Sequence, residues 1–256
     1  MRLLFSSDLH ALMPAYRLFA RTLAEGPWDA GVLAGDLLDD IRLPDEFLVR
    51  ELGADPDDLL EDLADPEDPS PWQTVGRRFN EINLRGLSIL EGRFREVLGG
   101  AGKPVFLVPG NHDDTPWADG GGIVNLHGRR IEFGTWNFVG YRWTVDHRSE
   151  ADLDREVRAL APRVDRKSIL VTHSPPAGIL DGRAELIHGI PALRDLVRDR
   201  EPRLHLFGHI HNRPGRRGRF VNGAYPHARV FWDIEVETRK VRRIPAAVPV
   251  PNPRWA

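Results

Sequence analysis

The sequence predicts an α/β fold in which two sheets pack face to face with helices outside. Three observations carry that expectation. Short apolar runs with strand character alternate with longer stretches of helical spacing. Groups of Asp, Asn and His follow directly on strand-like runs, where an α/β sheet exposes its functional edge. A chain of 256 residues with 41% hydrophobic content is also long enough to bury a substantial core. It reads as a single domain over 1–256, with an acidic helical insertion at about 40–100 and an irregular tail from about 245.

In chain order, Leu3-Leu4-Phe5 reads as a buried strand, and Tyr16 to Ala24 as a helix with Leu18, Phe19, Leu23 and Ala24 on one side. Gly31 to Ala34 is the next strand. This opening β-α-β unit brings Asp8 and Asp36 to one sheet edge. From Asp39 to Asp68 the chain is strongly acidic and broken by Pro44, Pro56 and Pro66, which reads as a solvated helical insertion or, functionally, as a lid. Val75 to Leu98 carries Phe79, Ile82, Leu87, Leu90, Phe94 and Val97 at helical spacing and stops at Gly99-Gly100, so a long amphipathic helix is expected to cover the sheet. Val105 to Val108 is an apolar run. Further strand-like runs follow at Ile131–Phe133, Asn137–Tyr141, Ile169–Thr172, Leu204–Phe207, Arg219–Asn222 and Val230–Glu235, with helical patterns near Asp152–Leu160 and Ile190–Arg200.

Composition narrows the function. A net charge of −3 offers no global attraction for nucleic acid or an anionic membrane, so nucleic acid is not the favoured partner. The absence of Cys excludes disulfides, thiolate metal sites and a cysteine nucleophile. No run approaches the roughly 18 apolar residues of a membrane span, and Met1-Arg2-Leu3-Leu4-Phe5-Ser6 has no signal-peptide core, so a cytoplasmic protein is expected. No Gly-x-Ser-x-Gly elbow is present. Gly99-Gly100-Ala101-Gly102-Lys103 imitates a phosphate loop, but Val97 replaces its first Gly and Pro104 its Ser or Thr.

Five short stretches remain: Asp8-Leu9-His10, Gly35-Asp36, Gly110-Asn111-His112-Asp113, Thr172-His173 and Gly208-His209-Ile210-His211. Each alone has an ordinary reading, as a cap, a turn or a core histidine. Together they place hard oxygens and imidazoles at the ends of five apolar runs, which describes a two-metal hydrolytic site. Phosphate ester hydrolysis needs this: an anionic phosphorus must be approached by a nucleophile while charge builds on the leaving oxygen, and two cations solve both problems. A carboxylate able to give one oxygen to each cation is required, and Asp36, central in the ligand order, is the choice. Two divalent ions against Asp8, Asp36 and a bridging hydroxide leave roughly +1, suited to an anionic ester.

The set resembles the calcineurin-like metallophosphoesterase superfamily from residue 2 to about 235, leaving about 40–100 unmatched. Thr172-His173-Ser174-Pro175-Pro176, Gly178-Ile179-Leu180-Asp181 and Val221-Asn222-Gly223-Ala224 are similar to a compact phosphodiesterase-like branch. The resemblance implies a four-layer α/β/β/α sandwich of two mixed sheets. It also implies two divalent ions, one held by Asp8, His10 and His211 and the other by Asn111, His173 and His209, with Asp36 shared. The activity implied is hydrolysis of a small-molecule or nucleotide phosphoester by attack of a metal-bridging hydroxide, a diester slightly ahead of a monoester. A non-catalytic interaction module on the same fold is the alternative.

His112 is assigned to contact the phosphoryl oxygen or protonate the leaving group. Asp113 would orient His112 through its other ring nitrogen, a helix cap being the ordinary reading. Mn is the first expectation for the metal, with Fe, Zn or a mixed pair left open. Purple acid phosphatases, a related branch, carry Tyr three residues after the bridging Asp; Asp39 stands there, so no tyrosinate-bound ferric ion is expected. His127, His147, His188, His205 and His227 lie outside the ligand set: His205 is expected in a strand near the metal layer, and His188 is considered for the pocket lining. Trp117, Trp136 and Trp143 are core residues by default, or stacking platforms for an aromatic leaving group. Arg213 to Arg219 reads as a solvated hairpin turn or a phosphate contact.

Overall fold

Arg2–Ser6 (β1) sends Leu3 and Phe5 into one apolar layer and Leu4 into another, the period-two alternation of a strand buried on both faces. The same division recurs in Ala30–Ala34 (β2), where Val32 and Ala34 oppose Leu33, and in Val105–Val108 (β3), where Phe106 and Val108 oppose Leu107. These strands therefore need cover on both sides, and they receive a second sheet on one side and helices on the other. The computed structural model describes residues 1–38, 71–145, 148–182 and 189–250, the stretch 71–83 by its backbone alone. The acidic segment expected as a solvated helical insertion or a lid, His147, His188 and the last six residues lie outside the described residues.

Met13–Glu25 (α1) follows β1, and Pro71–Gly99 (α2) precedes β3. Ile123–Asn125 (β4), Arg130–Phe133 (β5) and Trp136–Tyr141 (β6) come next. Glu150–Leu160 (α3) starts at Ser149, whose side chain accepts the N–H of Asp152, with Glu150 and Asp152 in the first turn. Ser168–Thr172 (β7), Pro191–Arg200 (α4), Leu204–Phe207 (β8), Gly215–Arg217 (β9), Phe220–Asn222 (β10), Tyr225–Ala228 (α5), Val230–Glu235 (β11) and Lys240–Pro245 (β12) complete the order. The strands form two six-stranded sheets, β12-β11-β1-β2-β3-β4 and β5-β6-β7-β8-β10-β9. In the first, β1 to β4 run parallel and the antiparallel pairings lie on the β11–β12 side; in the second, β6, β7, β8 and β10 run parallel between two antiparallel edges, so both sheets are mixed.

Between the sheets Phe106 stacks on Phe138 with ring centroids 4.2 Å apart, and Phe133 meets Phe106 edge-on at 5.3 Å. On the outer face of the first sheet Tyr16 and Phe19 of α1 and Leu90, Phe94 and Leu98 of α2 cover Leu4, Leu33 and Leu107. On the outer face of the second, Leu153 and Val157 of α3 and Leu193 and Val197 of α4 cover Val139 and Leu170. The layers are helix, sheet, sheet, helix: the expected four-layer sandwich. Among the described residues no helix is long and apolar enough to cross a membrane.

The sequence reading omits β4, α5 and β12, and takes as a turn the Arg213–Arg219 stretch that contains β9. β12 escapes that reading because Lys240, Arg242 and Arg243 break the apolar pattern, and the irregular tail expected from about 245 starts where it ends. Charged side chains are what an edge strand carries, since they discourage pairing with another chain, and β12 pairs along its whole length with β11. Beyond Pro245 no regular element follows through residue 250, although Ala246 is held by Tyr225, whose hydroxyl donates to its carbonyl at 2.6 Å.

His205 on β8 is fully buried and packs its ring against Phe207 at 5.1 Å. Thr172 donates its hydroxyl to the Ser174 carbonyl, leaving its oxygen to accept from His205 Nε2 at 2.8 Å. Burial pushes His205 down from 6.5 to about 3. The unfolded chain therefore takes up a proton between these values that the folded chain refuses, so stability is fully present above pH 6.5 and falls toward pH 3. The expected loss is about 1.4 kcal/mol per pH unit. Urea unfolding at pH 7, 6, 5 and 4 of the wild type and His205→Gln measures it, and an identical acid slope in both proteins would exclude His205 as the source.

Candidate metal centre

The loops after β1, β2, β3, β7 and β8 end at one rim and carry Asp8, Asp36, Asn111-His112, His173 and His209-Ile210-His211 respectively. Parallel pairing of β1 with β2 and of β7 with β8 brings the carboxyl ends of both sheets to that side. Backbone hydrogen bonds sew the loops together: Asp8 N–H to Gly35 O at 2.9 Å, His10 N–H to Asp36 O at 3.0 Å, and Gly208 N–H to His173 O at 3.0 Å. Four of the expected ligands sit in the left-handed region, Asp8 at φ 57°, His10 at 44°, Asp36 at 49° and His209 at 68°. Non-glycine residues adopt it rarely and at a cost of about 1–2 kcal/mol each, so the surrounding contacts must hold them there.

Two groups of donors result. Asp8, His10, Asp36 and His211 offer one ligand atom each, all within 4.8 Å of one another, and Asp36, His173 and His209 do the same. Asp36 belongs to both, with one oxygen for each side: Oδ1 lies 3.2 Å from His173 Nε2, and Oδ2 lies 3.9 Å from His10 Nε2. Asn111 Oδ1 joins the second group, 2.8 Å from His173 Nε2 and 3.1 Å from His209 Nδ1. In the first group the Nε2 atoms of His10 and His211 approach to 3.0 Å, with Asp8 Oδ1 3.2 Å from His211 Nε2. Crowded imidazole nitrogens, carboxylates and an amide oxygen are a donor set suited to Mn, Fe or Zn. These residues fit a pair of divalent ions.

The electrostatics agree. Burial by itself raises the Asp36 carboxyl, but the charge and hydrogen bond of His173, with His10 and His112 nearby, hold it far below the carboxylate range. Asp8 is likewise held low, His211 overcoming its burial. Burial lowers His173, yet Asp36 raises it to about 9. The pull these carboxylates exert on a proton is equally a pull on a cation, for which that proton must leave.

His112 occupies the mouth: its backbone N–H donates to Asp36 Oδ1 at 3.1 Å and its Nε2 lies 3.8 Å from Asp36 Oδ2. Asp113 is placed otherwise than the sequence suggests. Fully buried, its carboxylate accepts the N–H groups of Leu37 (3.0 Å), Leu38 (2.7 Å) and Gly110 (2.6 Å), so it faces the loop amides and not the His112 ring. Burial, reinforced by Asp36, raises its carboxyl.

Several supporting residues escape the sequence reading. Ser7 donates its hydroxyl to Asp8 Oδ2 at 2.5 Å, Tyr16 donates to Leu37 O at 2.6 Å, and Arg142 donates to the carbonyls of Gly110 (3.2 Å) and Asp113 (2.7 Å). They are ordinary residue types within strands, helices or loops, and only their partners mark them. Asn222, inside a motif singled out for resemblance, donates to Ile210 O at 2.9 Å and so fixes the His209–His211 loop. His127 accepts the Arg142 N–H and is held at about 4 by burial. Trp117 is fully buried in the core, while the guanidinium groups of Arg142 and Arg148 lie over the Trp143 ring, 4.6 and 3.9 Å from its centroid. Arg217 reaches Gly178 O at 3.3 Å.

Two mixed sheets whose facing rims share one carboxylate between two donor groups define a metal-binding α/β sandwich. A model of calcineurin-like phosphoesterases matches residues 1–213, a span holding every donor above, and the chain belongs to that family. Metallophosphoesterase domain-containing protein 1 of Homo sapiens and its Mus musculus counterpart are each 33% identical over 91 residues, 34% of this chain and 27% of theirs. The match thus spans about a quarter of the length of these curated relatives. One solved crystal structure superposes with a TM-score of 0.68 at 16% identity, covering 96% of this chain and 99% of the other. The crystal structure of TT1561 from Thermus thermophilus does so with a TM-score of 0.60 at 14% identity and the same coverage. At such identities these two structures speak to the fold.

Gly110 is where the site is least tolerant. A Cβ there would lie 2.2 Å from Asp36 Oδ1 and 2.3 Å from Asp36 N, whereas one at Gly92 on α2 meets nothing within 4 Å. Gly110→Ala is expected to displace Asp36 and lower bound metal at least severalfold. Gly92→Ala should keep the metal and gain about 0.5–1 kcal/mol of stability. Elemental analysis of both purified proteins, with thermal unfolding, checks the pair; full metal content in Gly110→Ala would contradict the packing described.

Proposed function

We propose that the protein is a dinuclear metal-dependent phosphoesterase acting on a small-molecule or nucleotide ester. The observation that carries this reading is Asp36, buried between the two donor groups with one oxygen turned to each. Asp8, His10 and His211 would hold one ion, Asn111, His173 and His209 the other, and Asp36 both. When bound, the pair supplies a nucleophile from water at neutral pH and a clamp on the attacking and leaving oxygens. Mn is the first choice, with Fe or Zn compatible with the same donors.

The protein's own part is positioning and proton transfer. His112 is half-buried at the cleft mouth and tethered through its backbone to Asp36, so its ring can donate to a phosphoryl oxygen or to the leaving oxygen. Asp113 acts on neither; in this reading it positions the loops that carry Asp36 and His112 by collecting their amides. A diester is favoured slightly over a monoester by the likeness of the Thr172–Pro176 and Val221–Ala224 stretches to the phosphodiesterase-like branch. A fold kept only for interaction has no need of four ligands in left-handed backbone, which supports the enzyme over that alternative.

Stripping the metal, restoring Mn, Fe, Zn or Mg singly, and comparing a chromogenic diester with a chromogenic monoester tests the reaction class. Hydrolysis that returns with a transition metal is expected, and inactivity with every ion and ester would refute the proposal. His112→Ala should lower kcat by about 10²–10⁴ with metal content nearly unchanged. Asp36→Asn should lose both metal and turnover, and full occupancy in that variant would rule out a shared carboxylate.

A further inference from the structure

A cleft of about 420 Å³ opens beside the first donor group, and Asp8, His10, His112 and His211 line it. The rest of its lining has another chemistry: Leu9, Leu12, Tyr225 and Pro226 are apolar or aromatic, and among the described lining residues Arg229 is the one arginine or lysine. That volume suits a small organic molecule.

Arg229 is held rigidly. It caps α5 in left-handed backbone at φ 49°, its N–H donates to Tyr225 O at 2.8 Å, and its carbonyl accepts from Ala246 N at 2.9 Å. Its Nε donates to Pro226 O at 3.1 Å, and its guanidinium carbon lies 5.5 Å from the Tyr225 ring centroid. Tyr225, itself buried, is tied down by its hydroxyl bond to Ala246 O. Elsewhere guanidinium groups meet carboxylates, as Arg2 meets Asp233 at 2.6 Å and Arg130 meets Asp165 at 2.8 Å. Among the described residues no carboxylate pairs with Arg229. A cation fixed in place, not neutralised, and set in a small-molecule cleft is preorganised for an anion, since little side-chain freedom is left to lose on binding.

We propose that Arg229 is a specificity-determining residue that receives a second anionic group of the substrate, a carboxylate or a phosphate, while the substrate's apolar body lies along Leu9, Leu12 and Tyr225. The favoured substrate class is then a small phosphoester with a second anion separated from the scissile phosphate by an apolar or aromatic spacer. The scissile end of this assignment rests on the phosphoesterase reading above, whereas the Arg229 end rests on the cleft alone.

Calorimetry of the metal-reconstituted full chain with phenylphosphonate, 4-carboxyphenylphosphonate and 1,4-phenylenebisphosphonate tests it without turnover. The wild type is expected to bind at least one doubly functional probe about 10- to 100-fold tighter than the plain one, the gain of a charge-assisted hydrogen bond. The tighter of the two identifies the second anion as carboxylate or phosphate. Arg229→Gln should abolish the preference and Arg229→Lys should keep part of it. No preference in the wild type, or one that survives in Arg229→Gln, overturns the proposal. A wild type without preference overturns it even if the variants fail to fold. Arg229-dependent preference without hydrolysis of any ester would sink the phosphoesterase reading and leave the anion site standing; hydrolysis without preference would do the reverse.

Discussion

The buried carboxylate of Asp113 and the three backbone N–H groups it collects hold the site in register. Leu37 and Leu38 follow Asp36 directly, and Gly110 precedes Asn111 and His112, so one side chain joins the two loops that bear Asp36 and the mouth histidine. Burying a carboxylate costs several kcal/mol unless its oxygens are satisfied. Here backbone amides satisfy them, and Arg142 braces the same turn from outside through the carbonyls of Gly110 and Asp113. The result is a rigid platform on which Asp36 has little freedom to turn.

Rigidity matters because the donors are crowded. Two carboxylates, four imidazoles and an amide oxygen approach one another at 2.8–3.9 Å, and four of the residues sit in disfavoured backbone. Such an arrangement persists only if the fold over-determines it. The glycines show how tightly it is closed: a Cβ at Gly35 would fall 2.3 Å from His173 Nδ1, and one at Gly208 would fall 2.3 Å from Asp8 Oδ2. Each of these glycines belongs to one motif and makes room for a ligand of another.

The same packing explains the asymmetry of the adjoining cleft. Its donors stand at strand ends of both sheets, whereas the rest of its lining comes from the β1–α1 loop, α5 and the segment that follows β12. The donors are thus anchored by the sheets, and Tyr225 and Arg229 by a short helix locked to Ala246. Tyr225, Pro226 and Arg229 stand on a segment that carries none of the donors, whereas Leu9 and Leu12 share a loop with Asp8 and His10.

Much of this was legible in the residues. The opening β-α-β unit, the long helix ending at Gly99, and the Asp, Asn and His residues following apolar runs are local patterns, and the structure bears out each element. β12 and α5 were not legible: one is an edge strand disguised by its arginines, the other a single helical turn. The Asp113 side chain, the bracing by Arg142 and the seat of Arg229 were hidden for another reason. They depend on partners far along the chain, 76 residues away between Leu37 and Asp113, and strand periodicity says nothing of side-chain direction once the backbone leaves the strand. By itself the sequence determined which donor atoms exist and at which strand ends they stand. Only the packing of one sheet against the other decided which oxygen of Asp36 faces which imidazole, because that depends on the relative position of two layers that no local pattern encodes.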